Sequence, residues 1–115
     1  MKRDMELIRA IILKVQDDSF SIKMEGYTED EVKYHTKMAI EAGLVEGKVQ
    51  NNFSNRTNIP SSVIAKDLTW SGHDLAESIA SDTNWNKVKD YAKESGKILS
   101  IEVIKQSAKM LFQTF

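Results

Sequence analysis

The sequence predicts an α+β domain, and three observations lead to this fold class. Apolar residues recur at helical spacing over residues 5–15, and Thr28 with Glu31 forms a capping box that opens a second helix. Two short apolar runs then flank an Asn-rich loop at residues 50–62, which is typical of a β-hairpin. The order of elements predicts a winged-helix-like domain with a degenerate helix-turn-helix, a long β-hairpin wing and additional C-terminal helices.

Composition limits the function classes. The 115 residues are 41% hydrophobic and 29% charged, which fits one globular domain. The absence of cysteine excludes disulfides, thiolate metal ligands and a cysteine nucleophile, and it is compatible with a cytoplasmic location. The net charge of -1 does not indicate a nucleic-acid binder. The longest apolar runs are far below the roughly 18 residues of a membrane span, so no membrane association is expected.

The first half of the chain predicts a helix, a strand and a second helix. Asp4 is a good N-cap for a helix through Val15. Apolar and polar residues alternate over residues 20–25, which predicts a short strand. The helix from Thr28 is expected to end at Ala42, because Gly43 follows as a stop signal.

The second half predicts a hairpin followed by helices. Residues 44–50 and 63–68 are expected to pair with each other and, together with residues 20–25, to form a small antiparallel sheet. Residues 1–80 would form the winged-helix-like part, and residues 81–115 a helical extension packed on the same core. Capped starts are expected at residues 71–74, at Asp82 and near Ser100.

The last predicted helix carries an apolar seam with a 3-4-3-4 spacing. Its members are Ile101, Ile104, Ala108, Leu111 and Phe115. We expect this seam either to pack on the first helix or to pair two chains as a homodimer.

Residues 31–45 resemble the recognition helix and following strand of bacterial winged-helix repressors, and residues 68–75 resemble the segment that closes their wing. Two features depart from that pattern. Only about ten residues separate the first helix from Thr28, so the first helix of the usual helix-turn-helix is missing or reduced to a turn. In addition, Glu29, Asp30 and Glu31 place negative charge where phosphates would lie.

A closer resemblance covers most of the chain up to about Lys89. The sequence is similar to an uncharacterised family of small bacterial and phage-associated proteins, known only as a domain of unknown function. The segments that carry this resemblance are residues 1–5, 25–27, 34–35, 68–73 and 82–87. The resemblance implies a winged-helix-like fold and a mobile-element context, and it implies no established activity.

The residues do not predict an enzyme. His35 and His73 are 38 residues apart without metal-ligand spacing, the acidic cluster at residues 29–31 is explained by helix capping, and no phosphate loop or nucleophile elbow occurs. We therefore expect no catalytic residues, no metal and no cofactor. Trp70 and Trp85 lie beside apolar stripes and are predicted to be core residues.

Two functions stay open. In the first, the protein binds double-stranded DNA as a phage or mobile-element transcription regulator or accessory factor, with the helix from Thr28 in the major groove and the hairpin tip on phosphates or in the minor groove. The predicted contact residues are Lys33, Tyr34, Lys37, His35, Lys48, Arg56 and Asn55. In the second, the same fold is a non-enzymatic protein-interaction module whose acidic helix start at residues 29–31 meets a basic partner. The basic side chains would then be only a solvated surface.

Overall fold

The computed structural model describes residues 1–112, and within them the chain forms five helices and a two-stranded antiparallel sheet. The elements are α1 Met5–Gln16, α2 Glu29–Glu41, β1 Val45–Gln50, β2 Ser62–Leu68, α3 Trp70–Ile79, α4 Asp82–Glu94 and α5 Ile101–Phe112. The predicted α+β class, the long hairpin and the additional C-terminal helices are confirmed. The helix–hairpin–helix order is compatible with a winged-helix-like fold.

Helix α1 lies at the centre of the core. Its N-cap is Asp4, as predicted: the carboxylate accepts hydrogen bonds from the backbone N–H groups of Glu6 (2.9 Å) and Leu7 (3.3 Å). One face is buried, and it consists of Met5, Leu7, Ile8, Ile11, Ile12 and Val15. Truncating one of the large side chains to alanine typically costs about 2–5 kcal/mol. The core depends chiefly on this helix.

Helix α2 follows the predicted capping pattern. The Thr28 hydroxyl accepts from the Glu31 N–H, and the Glu31 carboxylate accepts from the Thr28 N–H (3.1 and 2.9 Å). Val32, Thr36 and Ala39 are buried. The helix gives way to the hairpin at Gly43, whose φ of 76° is the left-handed conformation that favours glycine.

The predicted strand at residues 20–25 is wrong. Phe20, Ile22 and Met24 are half-buried against the core and alternate with exposed residues, as the pattern indicated. The segment nevertheless pairs with no strand in the part of the chain that the structure describes, so the sheet has two strands instead of three. A period of two identifies an extended segment with one buried side, whereas a strand also needs a hydrogen-bonding neighbour.

The hairpin is the predicted one. Strands β1 and β2 pair from Val45 opposite Leu68 to Gln50 opposite Ser62, with an irregularity at Glu46 and Gly47. A Cβ atom on Gly47 would lie 2.0 Å from the Ile64 carbonyl oxygen and 3.1 Å from Cδ1 of Ile40 on α2. The absence of a side chain at Gly47 therefore lets the hairpin lie close against α2.

The C-terminal helices begin one or two residues away from the predicted starts. Thr69 is the N-cap of α3, and its hydroxyl accepts from the Gly72 N–H (3.0 Å). Ser81, rather than Asp82, is the N-cap of α4. Because α3 begins at Trp70, this side chain is 89% exposed, and its predicted core position is wrong.

The seam of α5 packs within its own chain. Ile104 and Ala108 are buried in the same core cluster as the apolar face of α1, and α5 packs chiefly on α4 and α3. Leu111 is exposed, and Phe115 lies outside the described residues. The buried part of the seam is thus not free to pair two chains.

A polar cluster ties α4 to α1. Trp85 is only 2% exposed, which confirms its core position, and its indole N–H donates to the Glu6 carboxylate (2.8 Å). The Lys89 ammonium donates to the other Glu6 oxygen (2.8 Å), and the Arg9 guanidinium lies 5.5 Å from the centroid of the Trp85 ring. Partial burial raises the pKa of Glu6, but the hydrogen bonds from Lys89 and Trp85 and the nearby positive charges outweigh it and lower the pKa overall.

Over residues 1–112, no helix combines the length and the apolar character that crossing a membrane requires. The same residues contain no group of three or more His, Cys, Asp or Glu side chains placed to hold a metal ion.

Candidate nucleic-acid interface

The hairpin carries positive charge without any compensating acid. Residues 47–66, which we name the basic arm, contain Lys48, Arg56 and Lys66 and neither Asp nor Glu. Lys48 and Lys66 are exposed on the strands, and Arg56 is exposed in the loop. The acids Glu46 and Asp67 stand opposite each other at the base of the hairpin. The three cations of the arm therefore lie beyond the last acidic residues of the hairpin, and the arm itself contains no acid.

Two lysines of α2 join the basic arm. The Lys33 ammonium donates to the carbonyl oxygen of Ser61, and the Lys37 ammonium donates to that of Asn58, both at 3.3 Å. The two lysines lie four residues apart and hence on one face of the helix. An ammonium group has three donors, so each lysine keeps donors for a further partner. The structure thus places Lys33 and Lys37 beside the loop of the arm, whereas Lys48 and Lys66 are exposed on its strands.

The loop of the arm is held by its own side chains. The Asn55 amide nitrogen donates to the Asn51 side-chain oxygen (2.9 Å) and to the Ile59 carbonyl (2.7 Å). Its side-chain oxygen accepts from the N–H (3.0 Å) and the hydroxyl (2.8 Å) of Thr57. Both ends of the Asn55 amide are engaged within the loop. Asn55 therefore shapes the arm and is not a free group for contacting a ligand.

Two side chains point away from this network at the tip. Phe53 is fully exposed, and Arg56, three residues later in the sequence, is also exposed. Neither Phe53 nor Lys66 is among the predicted site residues. A count of charges between Glu46 and Asp67 would have found Lys66, and an isolated aromatic residue in an Asn-rich loop is the signal that identifies Phe53.

His35 does not belong to the interface. It is buried, its Nε2 atom accepts from the Asp4 N–H (2.8 Å), and its Nδ1 atom donates to the Glu31 carbonyl (2.7 Å). These partners require a neutral ring with the proton on Nδ1. Both ring nitrogens are hydrogen-bonded inside the protein, so His35 has no free ring N–H to offer a phosphate in this conformation. Tyr34 is half-buried, and its ring meets that of His35 edge-on at 5.3 Å.

The first turn of α2 has the opposite charge to the arm. Glu29 and Asp30 are exposed there, where they are favourable to the helix dipole. An approaching phosphate would meet these carboxylates before it met Lys33 or Lys37. The cationic surface is thus the arm with the side of α2 that faces it, and the leading turn of α2 is excluded from it.

Comparisons with known proteins show which family the sequence resembles. Residues 2–98 match the family model described as "Hypothetical protein (DUF2513)". The chain is also similar to an "Uncharacterized protein" of Haemophilus influenzae, with 37% identity over 117 residues that cover 96% of this chain and 95% of the relative. No solved structure matches.

Proposed function

The chain belongs to the DUF2513 family, and we propose that it binds duplex DNA through the basic arm. The observation that carries the proposal is the 20-residue hairpin segment with three cations and no acid, beside which Lys33 and Lys37 are hydrogen-bonded to its backbone. Neutralising phosphates releases counterions, and this supplies much of the affinity of a protein for DNA. The overall charge of -1 does not oppose local binding, because charges beyond about 10 Å are screened at physiological salt.

The shape of the arm suits a groove. Two-stranded β-ribbons read DNA from the major or the minor groove, and exposed side chains at the end of an arm reach sugars and base edges. Phe53 is of the type that inserts between base steps in the minor groove, and Arg56 is of the type that follows a narrow groove. In this arrangement Lys48 and Lys66 contact phosphates along the strands, and Phe53 with Arg56 contacts the groove at the tip.

Helix α2 has a supporting role in this proposal. Its lysines contact phosphates next to the arm, while Glu29 and Asp30 keep its first turn out of the major groove by repulsion. In this proposal the hairpin contacts the DNA, and α2 holds the hairpin in its orientation relative to the helical core. This arrangement differs from a recognition helix that enters the groove through Lys33, Tyr34 and Lys37.

The proposal extends to a cytoplasmic regulator or accessory factor of transcription in a phage or mobile element, which acts by binding and not by catalysis. If this is its role, DNA that flanks its own gene should bind more tightly than random DNA of equal length. Equal affinity for the two would restrict the function to sequence-independent binding.

Two double charge reversals test the proposal. K48E/K66E and K87E/K93E change the net charge equally, but the first alters the arm and the second alters the exposed side of α4. We expect K48E/K66E to weaken binding of a fluorescein-labelled duplex at least about tenfold at low salt, with K87E/K93E changing affinity about twofold or less. If the two variants weaken binding equally, or if the wild type does not bind at low salt, the arm is not a DNA-binding element.

A second candidate function, protein binding without catalysis, is favoured by apolar side chains exposed far from the arm. Ile98 is 88% exposed and Met110 is 66% exposed. A mutation that removes these side chains without affecting DNA binding would separate the two functions.

A further inference from the structure

A groove of about 440 Å³ runs between α4 and α5. Tyr91 and Ala92 of α4 form one wall, and Val103 and Met110 of α5 form the other. Lys97, from the connection between the helices, and Lys109 of α5 flank these apolar walls. Its volume is within the range of about 300–1,000 Å³ that is typical of small-molecule pockets.

The charged side chains that line the groove are both lysines. Neither Asp nor Glu is among the residues that line it, whereas two lysines are. A second depression of about 390 Å³ lies on the adjoining side of α5, shares Lys109 with the groove and adds Lys105 together with the acid Glu102. Three lysines therefore surround the exposed surface of α5 against one carboxylate.

The apolar surface continues outside the groove. Met110 lines it and is still 66% exposed, and Ile98, next to Lys97 in the chain, is 88% exposed. Methionine is adaptable and is common on surfaces that bind amphipathic helices. Neither side chain is required to close the core, since Ile104 and Ala108 of the same helix region fill that role.

We propose that the α4–α5 groove binds an acidic amphipathic helix of a partner protein. One large apolar side chain of the partner enters between Tyr91 and Met110, and carboxylates on the adjacent turns of the partner pair with Lys97 and Lys109. The apolar contact supplies most of the affinity, and the lysines select negative partners, because exposed ion pairs contribute little energy but exclude like charge. This is recognition of a helix in a groove, with apolar positions spaced at i, i+3 or i+4, and i+7.

The proposal does not depend on DNA binding. The groove shares no residue with the basic arm or with Lys33 and Lys37 of α2. A protein with both surfaces would join an acidic partner to DNA, but either surface can be tested without the other.

The test uses the full-length protein labelled with ¹⁵N and two synthetic amphipathic peptides of about 15 residues, long enough to present two helical turns of apolar positions. One peptide carries Asp and Glu at its polar positions, and the other carries Lys at the same positions. We expect the acidic peptide to shift the amide signals of Val103, Gln106 and Lys109 in a saturable manner, and the basic peptide to need at least about tenfold higher concentrations for the same shifts. Equal binding of both peptides, or no shift with the acidic one, would overturn the proposal.

Matched variants locate the effect. K97E/K109E should weaken the acidic peptide about tenfold, because two ion pairs become repulsions, and Met110→Ala should weaken it about fivefold. K48E/K66E, which changes the net charge by the same amount on the arm, should leave peptide affinity within about twofold. Met110 is exposed, so its truncation is not expected to unfold the protein. If K48E/K66E weakens the peptide as much as K97E/K109E does, the attraction is not local to the groove.

A second copy of the chain is the alternative occupant. Sedimentation velocity of the wild type over a range of concentrations should show a monomer whose groove signals do not change on dilution. If instead the protein dimerises and K97E/K109E dissociates it, the groove is a homodimer interface through the C-terminal helix, and the proposed acidic partner is wrong.

Discussion

The basic arm and the α4–α5 groove both display lysines, but in opposite surroundings. In the arm, Lys48 and Lys66 project from a thin ribbon whose loop is polar and held by the Asn55 amide. In the groove, Lys97 and Lys109 flank apolar walls built on helices that belong to the core. The basic arm attracts a dense row of negative charges, such as phosphates, and offers little apolar area. The α4–α5 groove offers apolar area, and its lysines select ligands of negative charge. Cations alone therefore do not identify a DNA-binding surface, and their neighbours decide what they bind.

Salt should separate the two surfaces most strongly. With about five phosphate contacts, the log–log dependence of DNA affinity on salt should have a slope near -4 to -5, so affinity should fall a few hundredfold between 50 and 200 mM salt. Binding of the acidic peptide should fall by only about threefold over the same range, because most of its energy is apolar. Anisotropy titrations of both ligands measure this difference. Similar slopes for the two ligands would show that the arm and the groove depend on charge to the same extent.

Gly47 offers a way to disturb the arm and spare the groove. Gly47→Ala places a Cβ atom 2.0 Å from the Ile64 carbonyl oxygen, so β1 must shift away from β2 or from α2. We expect about 1–3 kcal/mol of lost stability and about tenfold weaker DNA binding, with peptide binding unchanged in the fraction that stays folded.

The control for this variant is Gly26→Ala. Gly26 has a φ of 86° and open space around it, so alanine there should cost about 1–2 kcal/mol through the backbone alone. DNA affinity of Gly26→Ala should equal that of the wild type. A similar loss of affinity in both variants would mean that general destabilisation, and not the position of the arm, explains the effect.

Asn55 tests whether the shape of the loop matters. Asn55→Ala removes the amide that joins Asn51, Thr57 and the Ile59 carbonyl, and we expect a loss of about 1 kcal/mol that is confined to the arm. Hydrogen exchange over residues 51–61 should accelerate, and DNA affinity should fall about threefold. Asn58→Ala is the matched control, since Asn58 contributes its backbone carbonyl to Lys37 and keeps it after truncation. Faster exchange in both variants would contradict a specific role for Asn55.

The smallest effect is expected from the cluster that ties α4 to α1. The folded protein holds the pKa of Glu6 below 4.5, so the unfolded chain binds more protons in the acidic range. The contribution of Glu6 to stability is therefore present above about pH 4.5 and is lost as the pH falls through its lowered pKa. Because the Glu6 side chain is 49% exposed, we expect less than about 1 kcal/mol.

Urea unfolding of the wild type and of Glu6→Gln at pH 7 and at pH 3 measures this contribution. The difference in stability between the two proteins should narrow at pH 3, and Glu102→Gln on α5 serves as the control. A difference that is equal at both pH values would show that the charge of Glu6 is not what joins Trp85 and Lys89.

Local signals predicted most of the fold. The caps at Asp4 and Thr28 and the stop at Gly43 depend on residues within one helical turn, and the structure confirms all three. The strand at residues 20–25 failed because pairing depends on a neighbour that the local pattern does not specify. The core position predicted for Trp70 is also wrong. The N-cap of α3 is Thr69 and not a residue of the segment 71–74, so Trp70 is the first residue of the helix, and its side chain is exposed.

The candidate site was less predictable, because its partners are distant in sequence. Lys33 and Lys37 were identified from their charge, but their direction towards the arm depends on carbonyl oxygens 28 and 21 residues away. His35 is predicted as a phosphate contact because the winged-helix repressor pattern also carries histidine at this position. In the structure its Nε2 atom accepts from the Asp4 N–H, 31 residues away. Charge and residue type are visible in a sequence, whereas the acceptor that a side chain finds is a property of the folded chain.

Mapping a bound duplex on the full-length protein by NMR tests the central claim most directly. With ¹⁵N-labelled protein at low salt, an unlabelled duplex should shift the amide signals of residues 47–66 and those of Lys33 and Lys37, and it should leave the signals of Glu29, Asp30 and α5 unchanged. Raising the salt should reverse these shifts. Shifts centred on the first turn of α2 or on the α4–α5 groove, or no shifts at low salt, would contradict the account of the basic arm as the DNA-binding element.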